Sequence, residues 1–155
     1  MVCNHGDLVK PRIVQEILTE DHKRVSASLD SEVVENVYSA RTASKLKSAL
    51  IHAVEEGTGK NAQVEGYVVG GKTGTTMKIV GGGYRKNRNI TSFLGFIGTE
   101  SEPALIGIVL VDDPQSEGKR HGGSVAAPIF KEIAEAGMYH FGVRRLASTD
   151  VEMAN

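Results

Sequence analysis

Gly66-Tyr67-Val68-Val69-Gly70-Gly71-Lys72-Thr73-Gly74-Thr75 decides how this chain folds, because two incompatible structures can be read from it. The stretch sets a cation, two hydroxyls and a residue without a side chain at the end of an apolar run, a combination suited to holding a carboxylate or a phosphate. Its first eight residues fit the phosphate-loop spacing G-x-x-x-x-G-K-[ST]. Leu105 to Asp113, an apolar run closed by acids, mimics a strand that ends in a magnesium ligand. On that reading Lys72 opens a helix whose first amides hold phosphate. The flanks argue otherwise. Asn61-Ala62-Gln63-Val64-Glu65 is half polar where a buried strand is required. Gly74, Thr75 and Thr76 are poor helix formers, and Tyr67, Val68 and Val69 favour extended backbone. The stretch therefore predicts a strand, with Lys72 and Gly74 on one face and Thr73 and Thr75 on the other. The glycine admits a close neighbour, and an exposed N–H just beyond it would donate to a developing oxyanion.

Working outward, strands are expected near residues 67–78, 89–98 and 104–112. The last two are joined by the polar turn Thr99 to Pro103, short enough to make them antiparallel. Gly81-Gly82-Gly83 reads as a flexible turn and Arg85-Lys86-Asn87-Arg88 as a basic hairpin tip. A helix is expected from Thr42, as its cap, to Glu56, with an apolar stripe through Leu46, Ala49, Leu50, Ala53 and Val54 and a left-handed stop at Gly57. A final helix runs from Val125 to about His140, capped by Ser124, with Ala126, Ile129, Phe130, Ile133, Ala134 and Met138 as its apolar face. Leu8 to Leu18 reads as a short extended segment broken by Pro11. The predicted fold is α+β: a three-stranded antiparallel sheet flanked by helices, with residues 1–143 as one domain and 144–155 as a flexible tail.

Composition narrows the function. The 155 residues carry a net charge of −1, which gives no general reason to expect nucleic acid or an acidic membrane surface as partner. The hydrophobic fraction of 40% supports a soluble core, and with aromatics at 5% and no tryptophan that core must be aliphatic. Cys3 is the only cysteine, so no internal disulfide can form. The histidines lack metal-ligand spacing, and neither a metal nor a cofactor is expected. No run is apolar enough to cross a bilayer, and no signal-peptide core opens the chain.

Lys72-Thr73-Gly74 is also one of three motifs of the serine β-lactamases and penicillin-binding proteins. Its surroundings strengthen the match. Val54-Glu55-Glu56-Gly57-Thr58-Gly59-Lys60 resembles that family's helix end and Gly-Thr-Gly loop. Ser92-Phe93-Leu94-Gly95-Phe96 and Ile108 to Pro114 resemble its next two strands, and Gly122-Gly123-Ser124-Val125-Ala126-Ala127-Pro128 the start of its last helix. Asn4-His5-Gly6 with Pro11 is similar to its Asn-Gly-Gly connector. The order is most similar to class B, division-type penicillin-binding proteins, and the resemblance covers the C-terminal half of the transpeptidase domain. It implies a peptidoglycan D,D-transpeptidase, acylated by stem peptides and by β-lactams. Lys72 would meet the substrate's terminal carboxylate and the hydroxyls of Thr73 and Thr75 would help hold it. Gly74 would leave room for the acyl chain, and the Thr75 N–H would be the catalytic half of an oxyanion hole. The parent protein would be membrane-anchored with this domain outside the cytoplasm, and other division proteins would be its partners.

The departure from that family is the nucleophile. No Ser-x-Asn occurs in the sequence. Ser44-Lys45-Leu46-Lys47 fits Ser-x-x-Lys but lies only 28 residues before Lys72, and at helical spacing Ser44 sits about 160° from Leu46, on the solvent side. The chain alone is therefore expected to be catalytically silent, with stem peptide and β-lactam engaged only together with the serine-bearing half. Other classes remain open: a phosphate-loop nucleotide hydrolase, or a non-catalytic module that binds peptide carboxylates. A three-stranded sheet also leaves an unpaired edge, which predicts self-association. His121, Arg85 to Arg88 and Asp112-Asp113 read as solvated loop or turn residues.

Overall fold

A computed structural model describes residues 1–14, 16–25, 31–115 and 120–146, with the Asn87 side chain left out. The chain divides into two compact units, Met1–Leu46 and Lys47–Asn155.

In the first unit, β1 (Leu8–Val9) pairs antiparallel with β2 (Val33–Val34), opposing Leu8 to Val34 and Val9 to Val33. Lys10 N donates to Glu32 O at 2.9 Å, and the Lys10 ammonium lies 2.7 Å from Glu32 Oε2. The expected extended run from Leu8 to Leu18 is confined to two residues, with a separate bridge between Leu18 and Arg24. Pro11 cannot donate to a ladder, which explains the early stop. Helix α1 (Ala40–Glu55) begins two residues before the expected Thr42. Ser39 is the residue that closes its first turn, its Oγ accepting from Thr42 N at 3.2 Å.

The second unit is built on a meander in the order β3 (Val68–Val80), β4 (Gly83–Gly98) and β5 (Pro103–Asp112), antiparallel throughout, with β4 central. On the inner face Phe93 and Ile97 are fully buried, and Phe93 packs at a tilt of 53° against Phe130 of α2 (Ala126–His140) with ring centroids 4.8 Å apart. Phe130, Ala134 and Met138 recur every four residues and form the helical stripe that closes on the sheet. The stripe is narrower than expected, because Ile129 and Ile133 turn outward. Likewise Val54 is the buried anchor of α1, while Leu46 and Ala49 of the expected stripe are exposed. Ser124 does not cap α2; its hydroxyl donates to His121 O at 3.1 Å. Gly57 does not take the left-handed conformation, and α1 is closed instead by Gly59 N reaching Ala53 O at 3.0 Å.

The largest difference from the sequence reading is the hairpin. Strands β3 and β4 run past the expected ends at 78 and 89, and Arg85 to Arg88 lie in β4, not at a tip. The reversal is at Gly81 and Gly82, with φ of 63° and 82°. Two successive positive φ values make the two-residue turn whose twist matches the strands it joins. Ile79 pairs with Tyr84 and Met77 with Asn89, and the register shifts between Met77 and Ile79, so the polar run Arg85 to Arg88 forms an irregularity within β4. Of the expected tail, residues 144–146 are described: Leu146 N donates to Gly66 O at 2.9 Å, and Arg145 pairs with Glu135 at 2.5 Å. Residues 147–155 lie outside the described residues.

Candidate active site

Lys72 to Thr75 lie in the middle of β3, an edge of the three-stranded sheet among the described residues. Cross-strand partners fix their faces: Lys72 opposes Leu94, Thr73 opposes Phe93, Gly74 opposes Ser92 and Thr75 opposes Thr91. Thr73 and Thr75 thus share the inner face with Phe93, and Lys72 takes the outer one. Yet the Lys72 ammonium donates to Thr73 O at 3.1 Å and to Thr73 Oγ1 at 3.4 Å. Groups that leave a strand on opposite faces meet only by bending round its side. Strand β4 fills one side, so the ammonium and the hydroxyl meet on the open one, where a ligand has access.

Both threonines are fixed from the inner face. Thr73 Oγ1 lies 2.9 Å from Thr58 Oγ1, and Thr75 Oγ1 accepts from Gly122 N at 3.1 Å. A hydroxyl has one donor and two acceptor sites. With an N–H already on its oxygen, Thr75 keeps its O–H for an anion. The turn that brings Gly122 in is tied down by Asn61, whose Nδ2 donates to Gly123 O at 2.7 Å. Gly122 sits so close to β3 that a Cβ there would lie 2.6 Å from Gly74 O. The space at Gly74 itself is occupied by Ser92 Oγ, with which a Cβ would collide. The sequence reading did not single out Thr58, Asn61, Gly122 or Ser92 as site residues. The double glycine before α2 and the Gly57-Thr58-Gly59 loop carried the only signal.

Lys72 opening a helix is ruled out by β3, which runs unbroken through it, and the phosphate-loop reading falls with it. Ser44 is exposed on α1, as expected, while Lys47, the lysine at Ser-x-x-Lys spacing, is half-buried. A second Ser-x-x-Lys spacing, Ser116 to Lys119, lies outside the described residues, as does most of the loop from Gln115 to His121. His121 is exposed and shapes the turn through its carbonyl, which accepts from Ser124 N and Val125 N, both at 3.0 Å. Asp112 and Asp113 pair with cations of the ribbon. Lys78 meets Asp112 at 2.6 Å, and Arg88 Nε donates to Asp113 Oδ2 at 2.6 Å. The Arg88 hydrogen bond holds the Asp113 carboxyl below the usual carboxylate range against the opposing effect of desolvation, so it is an anion at neutral pH. No group of His, Cys, Asp and Glu with metal-site geometry occurs among the described residues. No described helix is long and apolar enough to cross a membrane.

Residues 1–135 match the penicillin binding protein transpeptidase domain. The chain is 39% identical to stage V sporulation protein D of Bacillus subtilis over 141 residues, covering 91% of this chain and 22% of that protein. It is 35% identical to the probable peptidoglycan D,D-transpeptidase PenA of Neisseria flavescens, covering 82% of this chain and 32% of the relative. Among solved structures, penicillin binding protein 3 of Mycobacterium tuberculosis in complex with ampicillin superposes with a TM-score of 0.77 at 30% identity, over 95% of this chain and 34% of that one. The chain thus spans between a fifth and about a third of the length of these relatives. The α+β meander, the edge-strand Lys-Thr-Gly and the match over most of the sequence agree, and the chain belongs to the penicillin-binding protein transpeptidase family.

Proposed function

We propose that residues 1–143 form the carboxylate-binding side of a peptidoglycan D,D-transpeptidase domain, which cross-links the cell wall at division. The observation that carries this reading is the meeting of the Lys72 ammonium and the Thr73 hydroxyl at the open side of β3. A cation and a donor hydroxyl on an edge strand suit the C-terminal carboxylate of an extended peptide. In the reaction, a serine oxygen adds to the carbonyl of the penultimate D-Ala of a stem peptide. Lys72, Thr73 and Thr75 hold the terminal carboxylate, and the Thr75 N–H takes the developing oxyanion. The C–N bond breaks and the terminal D-Ala departs with a proton. An amine of a neighbouring stem peptide then displaces the serine from the ester. β-Lactams enter the same site by presenting a carboxylate beside a strained acyl bond. No described residue of this chain fills the serine's role, since Ser44 is exposed on α1. The parent protein is held at the cell membrane with this domain outside the cytoplasm, and other division proteins are its partners.

The test is a titration of the isotopically labelled chain with N-acetyl-D-Ala-D-Ala and, separately, with its C-terminal amide. The acid shifts the amide resonances of Lys72 to Thr75, the blocked peptide does not, and Lys72→Ala abolishes the response. A fluorescent penicillin leaves no covalent label on this chain. An equal response to the blocked peptide, or one indifferent to Lys72, sinks the carboxylate assignment. A covalent adduct on Ser44 sinks the division of labour.

A further inference from the structure

The open end of the meander carries a group of charged side chains with no part in the site as described. Strands β3 and β4 continue beyond β5, whose last paired residue is Asp112, opposite Ile90. The chain then turns at Asp113, which takes φ of 53°, a left-handed conformation that aspartate tolerates better than most residues. Three contacts fasten that turn. Asp113 N donates to Asn89 O at 2.8 Å, extending the ladder by one bond. Arg88 Nε donates to Asp113 Oδ2, Arg88 Nη2 forms an ion pair with the same oxygen, and the Asp113 side chain is only 11% exposed. On the neighbouring strand Lys78 binds Asp112. The returning segment is caught at the same level, with Asn89 Nδ2 donating to Arg120 O at 3.3 Å. Two residues later Gly122 N meets Thr75 Oγ1 at 3.1 Å, in a gap that excludes a Cβ. Two residues span at most about 7 Å, so where Arg120 is held sets where Gly122 can reach.

We infer that Arg88 and Asp113 are positioning residues for the Lys72–Thr75 wall, acting through the turn at Gly122. Asp113 anchors the exit from β5, Asn89 catches the segment that comes back, and Gly122 then occupies the acceptor side of the Thr75 hydroxyl. The arrangement has a competitor that makes it necessary. Thr91, directly across from Thr75 on the same face, is fully buried, and its Oγ1 finds no hydrogen-bond partner among the described residues. A Thr75 hydroxyl released by Gly122 has that buried oxygen to turn toward, and it is then lost to a ligand at the strand's open side. The inference rests on reading Lys72 to Thr75 as a carboxylate site.

The experiment uses the full labelled chain with Arg88→Ala, Asp113→Asn and Arg88→Lys. It measures amide hydrogen exchange at Gly122, exchange at Phe93 and Ile97 in the core, and the affinity of the Lys72–Thr75 amides for N-acetyl-D-Ala-D-Ala. Arg88→Ala and Asp113→Asn raise Gly122 exchange about tenfold while leaving the core amides unchanged. Dipeptide affinity falls about threefold to tenfold, as for loss of one charge-assisted hydrogen bond. Arg88→Lys keeps the charge but loses the guanidinium fork, and recovers part of both. Unchanged Gly122 exchange in both variants overturns the inference. Gly122 and core exchange rising together overturns it too, since the pair is then a stability element alone. If one variant does not fold, the other two decide. A wild-type chain that ignores the dipeptide refutes the carboxylate site, and Gly122 exchange still reports on the clamp.

Discussion

The two units are held together by different means. In Lys47–Asn155 the sheet closes on α2 through side chains removed from water, with Phe93, Ile97 and Met138 fully buried. In Met1–Leu46 the only buried positions among the described residues are Gly6 and Ala43, while Ile13, Val14, Ile17, Val25 and Val33 are exposed. That unit is specified by backbone and polar contacts instead. Tyr38 N donates to Gly6 O, Asn36 N donates to Asp7 Oδ1, and Arg24 reaches Glu16. Such contacts fix geometry but contribute little net stability each, whereas burial scales with area. The comparison teaches that apolar content does not place a core. Both units are rich in valine and isoleucine, but only one arranges them at the period of its own secondary structure.

The same kind of truncation should act very differently in the two units. Phe93→Ala removes a ring that packs on Phe130 and lies against Gly71 and Gly95. It should cost about 3–5 kcal/mol and bring the second unit close to unfolding. Ile13→Ala, at a side chain fully open to solvent, should change stability by less than about 0.5 kcal/mol. Urea unfolding followed by residue-resolved NMR measures both. Comparable losses at the two positions would show that the first unit has a core after all.

A smaller effect is expected where the first unit depends on backbone geometry. Gly6 has φ of 106°, and a Cβ there would lie 2.9 Å from the Tyr38 carbonyl carbon and closer still to its oxygen. Gly6→Ala therefore meets both conformational strain and a backbone clash, a cost of about 1–3 kcal/mol. The expected readout is rapid exchange of the Tyr38 amide with unchanged exchange at Phe93 and Ile97. A rise at all three together would mean that the units do not unfold separately.

How much of this was legible in the sequence divides along the same line. Lys72 to Thr75 were readable because glycine and threonine after the lysine deny it a helix, and alternation then fixes the faces. The meander followed from the short polar turn before Pro103. The turn at Gly81 to Gly83 was readable from its glycines, but the length of the strands it joins was not, since Arg85 to Arg88 have no apolar face. Thr58 and Gly122 were missed as site residues for a different reason. Each acts through one contact with a residue 15 or 47 positions away in the chain, and local periodicity carries no information at that range. Helix α1 starts earlier than expected because Ser39, a better cap than Thr42 by type, accepts from Thr42 N.

The smallest effect on folding, and the finest test of the comparison, lies on β5. Its outer face carries Ile106, Ile108 and Leu110, exposed at 67%, 59% and 64%, and no charge interrupts residues 104–111. The first unit also exposes valines on strands, but β1 and β2 are two residues each, too short to offer a row of unpaired N–H and C=O groups. β5 offers ten residues as an edge among the described residues. Edge strands usually carry a lysine or proline inside the run that blocks pairing with another chain, and here Pro103 stands only at the start. Sedimentation of the wild-type chain should therefore show a mean mass that rises with concentration. Ile106→Lys should hold the chain monomeric while changing stability by about 0.5 kcal/mol or less, because the side chain already faces solvent. A mutation in the first unit of the same character, Val33→Lys, should leave the association untouched. If both lysines act alike, association is driven by total exposed apolar surface and the length of the edge is irrelevant. If only Ile106→Lys acts, the aligned backbone of β5 is what a neighbouring chain reads.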